Sequence, residues 1–218
     1  MKAQKMERVI KGKRIGIMGG TFDPVHLGHL VAAETARNEF KLDQVVFIPA
    51  GDPPHKKNYS VTDAEDRFAM TVLATTHNRH FAVSRIEIER CGPSYTIDTV
   101  NQLREKLGQD VELFFITGAD AILDIIKWKH PAELLKTCKF IALTRPGYNL
   151  DELDTIIEKL GFHDWETKGI INILEIPAVN ISSTEVRNMV RCGHSIGYMV
   201  PDLVEDYIVK NNLYISED

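Results

Sequence analysis

No run of the sequence approaches the ~20 consecutive apolar residues that a membrane-spanning helix requires. The basic opening is not followed by the apolar stretch of a signal peptide. Cysteine is scarce: Cys91, Cys138 and Cys192 are odd in number and share no C-x-x-C spacing. That speaks against a disulfide framework and a zinc site, and it suits a reducing, cytoplasmic setting. Positive charge is not in excess either. With a net charge of −5 the chain has no general field to hold nucleic acid, so an anionic ligand must be drawn in by a local cluster of donors. Internal repeats, low-complexity tracts and a linker long enough to divide domains are also missing. What remains is 218 residues, 44% of them hydrophobic, enough for one α/β domain with a real core. Residues 1–13 read as a basic leader and 14–218 as that domain.

Short runs rich in β-branched and aromatic residues alternate with longer segments of helical period. Strands are expected over 14–18, 44–48, 81–89, 111–116, 140–143 and 171–176. Helices are expected over 27–40, 62–77, 96–107, 121–126, 131–136, 151–160, 184–191 and 201–211. Thr62-Asp63-Ala64-Glu65 has the form of a capping box. In 81–89 the apolar phase slips between Val83 and Ile86, the mark of a bulge or an edge. The alternation predicts an α/β fold, a doubly wound, mostly parallel sheet in a single domain. Right-handed crossovers then gather the strand C-termini along one edge, where ligands bind.

The first strand ends in Gly19-Gly20, and a helix begins about eight residues on. Glycine lets the backbone approach a phosphate or ribose without a side chain in the way. His26 and His29 fall in or just before the first helical turn, where open N–H groups favour an anion. The spacing is neither G-x-G-x-x-G nor a P-loop, and no third ligand accompanies the histidines as a metalloprotease helix needs. Far along the chain, Ser182, Ser183 or Thr184 can cap another helix, and Arg187 brings a forked cation one turn in. Either segment alone reads as an ordinary turn or capped helix.

Together, Gly19-Gly20-Thr21-Phe22-Asp23-Pro24-Val25-His26-Leu27-Gly28-His29 and Ile181-Ser182-Ser183-Thr184-Glu185-Val186-Arg187 resemble the H-x-G-H and I-S-S-T-x-x-R signatures of the nucleotidylyltransferase superfamily. Pro53-Pro54-His55-Lys56, Pro93-Ser94-Tyr95-Thr96, Gly118-Ala119-Asp120, Lys127-Trp128-Lys129-His130 and Arg145-Pro146-Gly147 follow in the order found in bacterial nicotinate-nucleotide adenylyltransferases. Thr144 departs from that pattern where a basic residue is expected.

The resemblance implies a Rossmann-like nucleotidylyltransferase fold and AMP transfer from ATP to nicotinate mononucleotide, with release of pyrophosphate, in NAD synthesis. His26, His29, Lys56 and Arg187 would be catalytic. Gly19, Gly20, Thr21, Phe22, Gly118, Asp120, Ser182, Ser183 and Thr184 would hold ATP. Tyr95, Thr96 and Trp128 would hold the nicotinate ring and its carboxylate. Mg²⁺ would ride on the phosphates, with no cage of protein side chains. Partners would be these two small molecules, with no nucleic acid and no membrane; a homodimer is compatible with the sequence and not required by it. Rivals are an adenylyltransferase for nicotinamide mononucleotide or phosphopantetheine, a nucleotide-binding sensor without catalysis, and a redox enzyme binding a finished dinucleotide.

Overall fold

The computed structural model describes residues 10–53, 61–145, 148–165, 168–177 and 179–215. In chain order the elements are β1 (Arg14–Gly20), α1 (Leu27–Glu39), β2 (Gln44–Pro49), α2 (Ala64–Thr75), β3 (Phe81–Val83) and α3 (Thr96–Leu107). Then come β4 (Glu112–Gly118), α4 (Ala119–Leu123), a 3₁₀ turn (Ile125–Lys127), α5 (Pro131–Thr137) and β5 (Lys139–Thr144). α6 (Leu153–Lys159), β6 (Ile171–Glu175), α7 (Ser183–Arg191) and α8 (Asp202–Lys210) complete the described chain.

The strands lie in the order β3-β2-β1-β4-β5-β6, and every pairing is parallel. Successive residues of a strand face opposite sides. Ile15, Ile17 and Phe115 therefore join Ile97, Val100 and Leu103 of α3 and Leu134 of α5, while Phe47, Phe114 and Ile116 join Ala33 and Ala36 of α1. Met70 of α2, Val186 of α7 and Val204 and Ile208 of α8 belong to the second layer. The sheet is covered on both faces, as its apolar strands require. The strand order reverses between β1 and β4, and that switch point opens a crevice at their carboxyl ends.

Three local expectations are corrected. Asp63, not Thr62, caps α2: its carboxylate accepts the Glu65 N–H at 2.8 Å, while Glu65 pairs with Arg85 instead of closing a capping box. The predicted strand over 81–89 stops at Val83, because the apolar phase slip marks the point where the chain turns away, with Glu89 N–H on the Arg85 carbonyl. It is the edge strand of the sheet. The helix expected over 121–126 is a short α-helix that begins at Ala119, followed by a 3₁₀ turn. Of the leader, residues 1–9 lie outside the described residues; the backbone N–H groups of Lys11 and Lys13 bond the side chains of Gln44 and Asp43.

Candidate active site

β1 delivers its two glycines to the crevice, and the loop after them is fixed by side chains from distant elements. Phe22 turns through φ +51° and is buried; a Cβ on Gly20 would meet its ring at 3.0 Å, so glycine there gives the ring room to fold back. The Thr21 carbonyl accepts from Arg67 of α2 at 2.8 Å. The Asp23 carbonyl accepts from Arg187 at 2.7 Å, and the Pro24 carbonyl accepts from the Ser183 hydroxyl at 2.8 Å. The two signature segments are thus tied directly to each other.

The loop ends at His26, the N-cap residue of α1, whose backbone N–H donates to His29 Nδ1 at 3.2 Å. The two imidazoles stack with centroids 3.7 Å apart, and Phe22 meets His29 edge-on. A neutral His29 ring that accepts at Nδ1 carries its proton on Nε2. His26 is only 7% exposed, and burial lowers its pKa from 6.5 to about 4, so it is neutral at pH 7. Its buried Nδ1 has no hydrogen-bond partner among the described residues. Gly28 makes room for this ring, since a Cβ there would lie 3.0 Å from that nitrogen.

Three cavities adjoin at the strand ends. One of about 470 Å³ is lined by Gly19, His26, His29, Gly118 and Asp120, with Thr144 and Tyr148 on its far wall. A second, of about 210 Å³, shares Gly19 and Thr117 with the first and adds Gly20, Thr21, Glu87, Thr96 and Trp128. The third, of about 380 Å³, shares Thr96 and Trp128 with the second and is bordered by Tyr95 and Lys129. A larger cavity of about 640 Å³ opens among Arg104, Glu112 and Lys139, at the opposite ends of the strands, and none of the expected site residues lines it.

Most expected residues meet around the three adjoining cavities. Trp128 is half-buried, its ring edge-on to Phe115 at 5.8 Å. Tyr95 precedes α3, and no side chain caps that helix. Ser94 is not a helix cap: its hydroxyl accepts from the N–H groups of Gly51 and Asp52, tying the loop after β2 to the start of α3. Asp120 hydrogen-bonds the Tyr148 hydroxyl, which raises that phenol's pKa. Ser182 and Thr184 lie apart from the large cavity. Ser182 caps α7 through the Glu185 N–H at 3.1 Å, Thr184 accepts from Arg187 at 3.3 Å, and both line a separate cavity on the far side of α7. Lys56 lies outside the described residues.

Four residues escaped the sequence reading. Asp23, 1% exposed, accepts from the Tyr214 hydroxyl at 2.8 Å and the Thr62 N–H at 3.4 Å. Arg67, also 1% exposed, bonds the carbonyls of Thr21, Thr62 and Gly51. Glu87 accepts from Thr99 at 2.6 Å; burial raises its pKa against the pull of that bond and of Ser94. A cation on the apolar phase of a helix, as Arg67 is beside Phe68 and Met70, was the available signal. The partners of Tyr214 and Glu87 are too distant in sequence for any local pattern to show. Among the described residues no group of three or more His, Cys, Asp or Glu side chains is placed to hold a metal ion, and no helix is long and apolar enough to cross a membrane.

The cytidylyltransferase-like family model matches residues 17–189. A probable nicotinate-nucleotide adenylyltransferase of Moorella thermoacetica is 52% identical, covering 96% of this chain and 95% of that relative. A protein of the same description from Thermoanaerobacter sp. is 49% identical over 98% of both chains. Among solved structures, Plasmodium falciparum nicotinic acid mononucleotide adenylyltransferase complexed with NaAD superposes with a TM-score of 0.73 over 93% of this chain and 98% of that one. At 23% identity this likeness speaks for the fold.

Proposed function

Since the chain belongs to the cytidylyltransferase-like family, among its nicotinate-nucleotide adenylyltransferases, we propose that it transfers AMP from ATP to nicotinate mononucleotide, forming nicotinate adenine dinucleotide and pyrophosphate. The observation that carries this reading is the stacked His26–His29 pair at the start of α1, opening on one cavity with a second beside it across Gly19. Two substrates need two adjoining sites.

In this reading ATP occupies the cavity of about 470 Å³, with its adenosine side near Gly118 and Asp120 and its phosphates at the N-terminus of α1. Nicotinate mononucleotide enters from the side of Thr21 and Trp128. Its ring stacks on Trp128, and its carboxylate meets the N–H of Thr96 beside Tyr95 at the start of α3, which no side chain caps and where the helix dipole favours an anion. A phosphate oxygen of the mononucleotide attacks the α-phosphorus, the bond to the β-phosphate oxygen breaks, and pyrophosphate leaves. No enzyme nucleophile is needed: the protein aligns the two phosphates and offers donors to the charge that develops. His26 and His29 serve as those donors, with Lys56 assisting. Ser183 and Arg187 keep the loop in register, and Ser182 and Thr184 support them from outside that cavity, Ser182 as the cap of α7 and Thr184 as an acceptor for Arg187.

Among the described residues, Asp120 is the only acidic side chain lining the cavity of about 470 Å³. That donor set suits phosphate better than a protein-bound cation, so Mg²⁺ would be carried on the ATP phosphates, neutralising the pyrophosphate. We place the reaction in the cytoplasm, in keeping with the three unpaired cysteines.

The test is pyrophosphate release from ATP with nicotinate mononucleotide, and kcat/KM for it against nicotinamide mononucleotide and phosphopantetheine. Release with the first and a higher kcat/KM for it are expected. Preference for either rival acceptor would reassign the substrate, and no release with any would favour a sensor.

A further inference from the structure

Resting on that reading, we propose that Tyr214 is a positioning residue for the transfer: through Asp23 it sets the loop that carries His26. α8 docks on α2 by Val204 and Ile208, and by the Tyr207 hydroxyl on Asp66 at 2.8 Å. Beyond it the chain turns through Asn212 and Tyr214, at φ +51° and +66°, backbone that side-chain-bearing residues seldom adopt. The turn carries the Tyr214 ring inward, and its hydroxyl reaches Asp23 Oδ1 across 191 residues of sequence.

Asp23 is a buried carboxylate, and such a group needs donors to stay buried. Tyr214 supplies one and the Thr62 N–H the other. Burial first, then the charge of Asp23, hold the phenol well above its ordinary pKa, so it remains a donor. The Asp23 carbonyl is held by Arg187, and the neighbouring carbonyls of Thr21 and Pro24 by Arg67 and Ser183. Asp23 is thus gripped on its side chain and its backbone, three residues before His26. Docking of α8 does not require this bond, because Tyr207 anchors the same helix without touching the loop.

The experiment compares Y214F with Y207F in the full chain, with ATP and nicotinate mononucleotide. Y214F is expected to lower kcat about 10-fold by misaligning the reacting groups. Its KM for both substrates should stay within about 2-fold of the wild type, because ground-state binding is untouched. The imidazole NMR signals of His26 and His29 should move in Y214F without substrate, and stay in place in Y207F, which keeps its kcat. Melting curves fix a temperature at which both variants are folded. A purely structural role would lower the melting temperature and leave kcat and the imidazole signals alone, and that result overturns the proposal. So does a Y214F chain with no folded population at any temperature. A wild-type chain that makes no dinucleotide overturns the functional reading instead, and the imidazole signals then judge the positioning role by themselves.

Discussion

The imidazole of His26 lies on that of His29, centroids 3.7 Å apart and planes 29° from parallel. Burial leaves the His26 ring with a pKa of about 4, against 6.5 for an ordinary histidine. Between those two values the unfolded chain binds more protons than the folded one. Stability contributed by the neutral ring is therefore complete above 6.5 and lost as pH falls toward 4. The gap corresponds to about 3 kcal/mol. Denaturant midpoints measured across this window should fall less steeply with acid in H26Q than in the wild type. Equal slopes would mean that the ring is not held neutral by the fold.

His29 offers a donor from the first turn of α1 beside the expected reaction centre. His29→Ala should lower kcat by about 100-fold or more, the usual cost of removing a donor aimed at developing charge. Its circular dichroism and melting temperature should stay near the wild type. Undiminished turnover would remove His29 from the mechanism.

Gly28 presents a cleaner separation of stability from activity. Alanine is the better helix former by about 1 kcal/mol. Yet a Cβ at this position would lie 3.0 Å from His26 Nδ1 and 3.1 Å from its Cε1, so the ring must shift. Gly28→Ala is expected to fold and to lose about 10- to 100-fold in kcat, since a small misplacement of a reacting group is costly. Wild-type kcat would show that the ring is free to yield.

What was legible in the sequence and what was not divides by range of interaction. The order of strands and helices follows from periods of two and 3.6 residues, which are local, and the parallel sheet follows from that order. The phase slip at Val83 was legible as a bulge or an edge, and β3 is the edge strand, but that it stops at Val83 depended on the turn that follows. Thr62 made a plausible cap by spacing; its backbone is drawn instead to Arg67, which only its place on the apolar phase of α2 hinted at, and to Asp23, too distant in sequence for a local pattern to reveal. His26 and His29 were found because their chemistry sits in one short string. Tyr214 and Glu87 were not, because each acquires its meaning only when the fold brings a distant partner to it.

Glu87 is the acidic counterpart of His26. Burial raises its pKa above the ordinary 4.5, although Thr99, Ser94 and the charges of Arg90 and Arg67 pull the other way. The folded chain then holds a proton that the unfolded chain has already released. Stability contributed by the protonated form is complete below 4.5 and lost as pH rises through the folded value. Glu87→Gln keeps an acceptor for the Thr99 hydroxyl and cannot ionise. Its melting temperature should gain on that of the wild type as pH rises above 4.5, in thermal melts over a pH series. A constant difference across the series would count against a raised value.

Arg67 tests whether a buried cation holds the loop by hydrogen bonds or by charge. Its Nε and Nη1 each donate to a carbonyl at 2.8 Å, those of Thr62 and Thr21, and Nη2 reaches Gly51 at 3.4 Å. Arg67→Met fills much of the same space but leaves these carbonyls without that donor, at a cost of roughly 3 kcal/mol. The exposed pair Lys127–Asp124 is the control, because an ion pair in solvent contributes less than about 1 kcal/mol. Urea melts of Arg67→Met and Lys127→Met should differ accordingly, and because charge on exposed groups is screened, added salt should affect only the second. If Arg67→Met proved no less stable than Lys127→Met, the guanidinium would be a passenger, and the loop carbonyl of Thr21 would have to find its donor elsewhere.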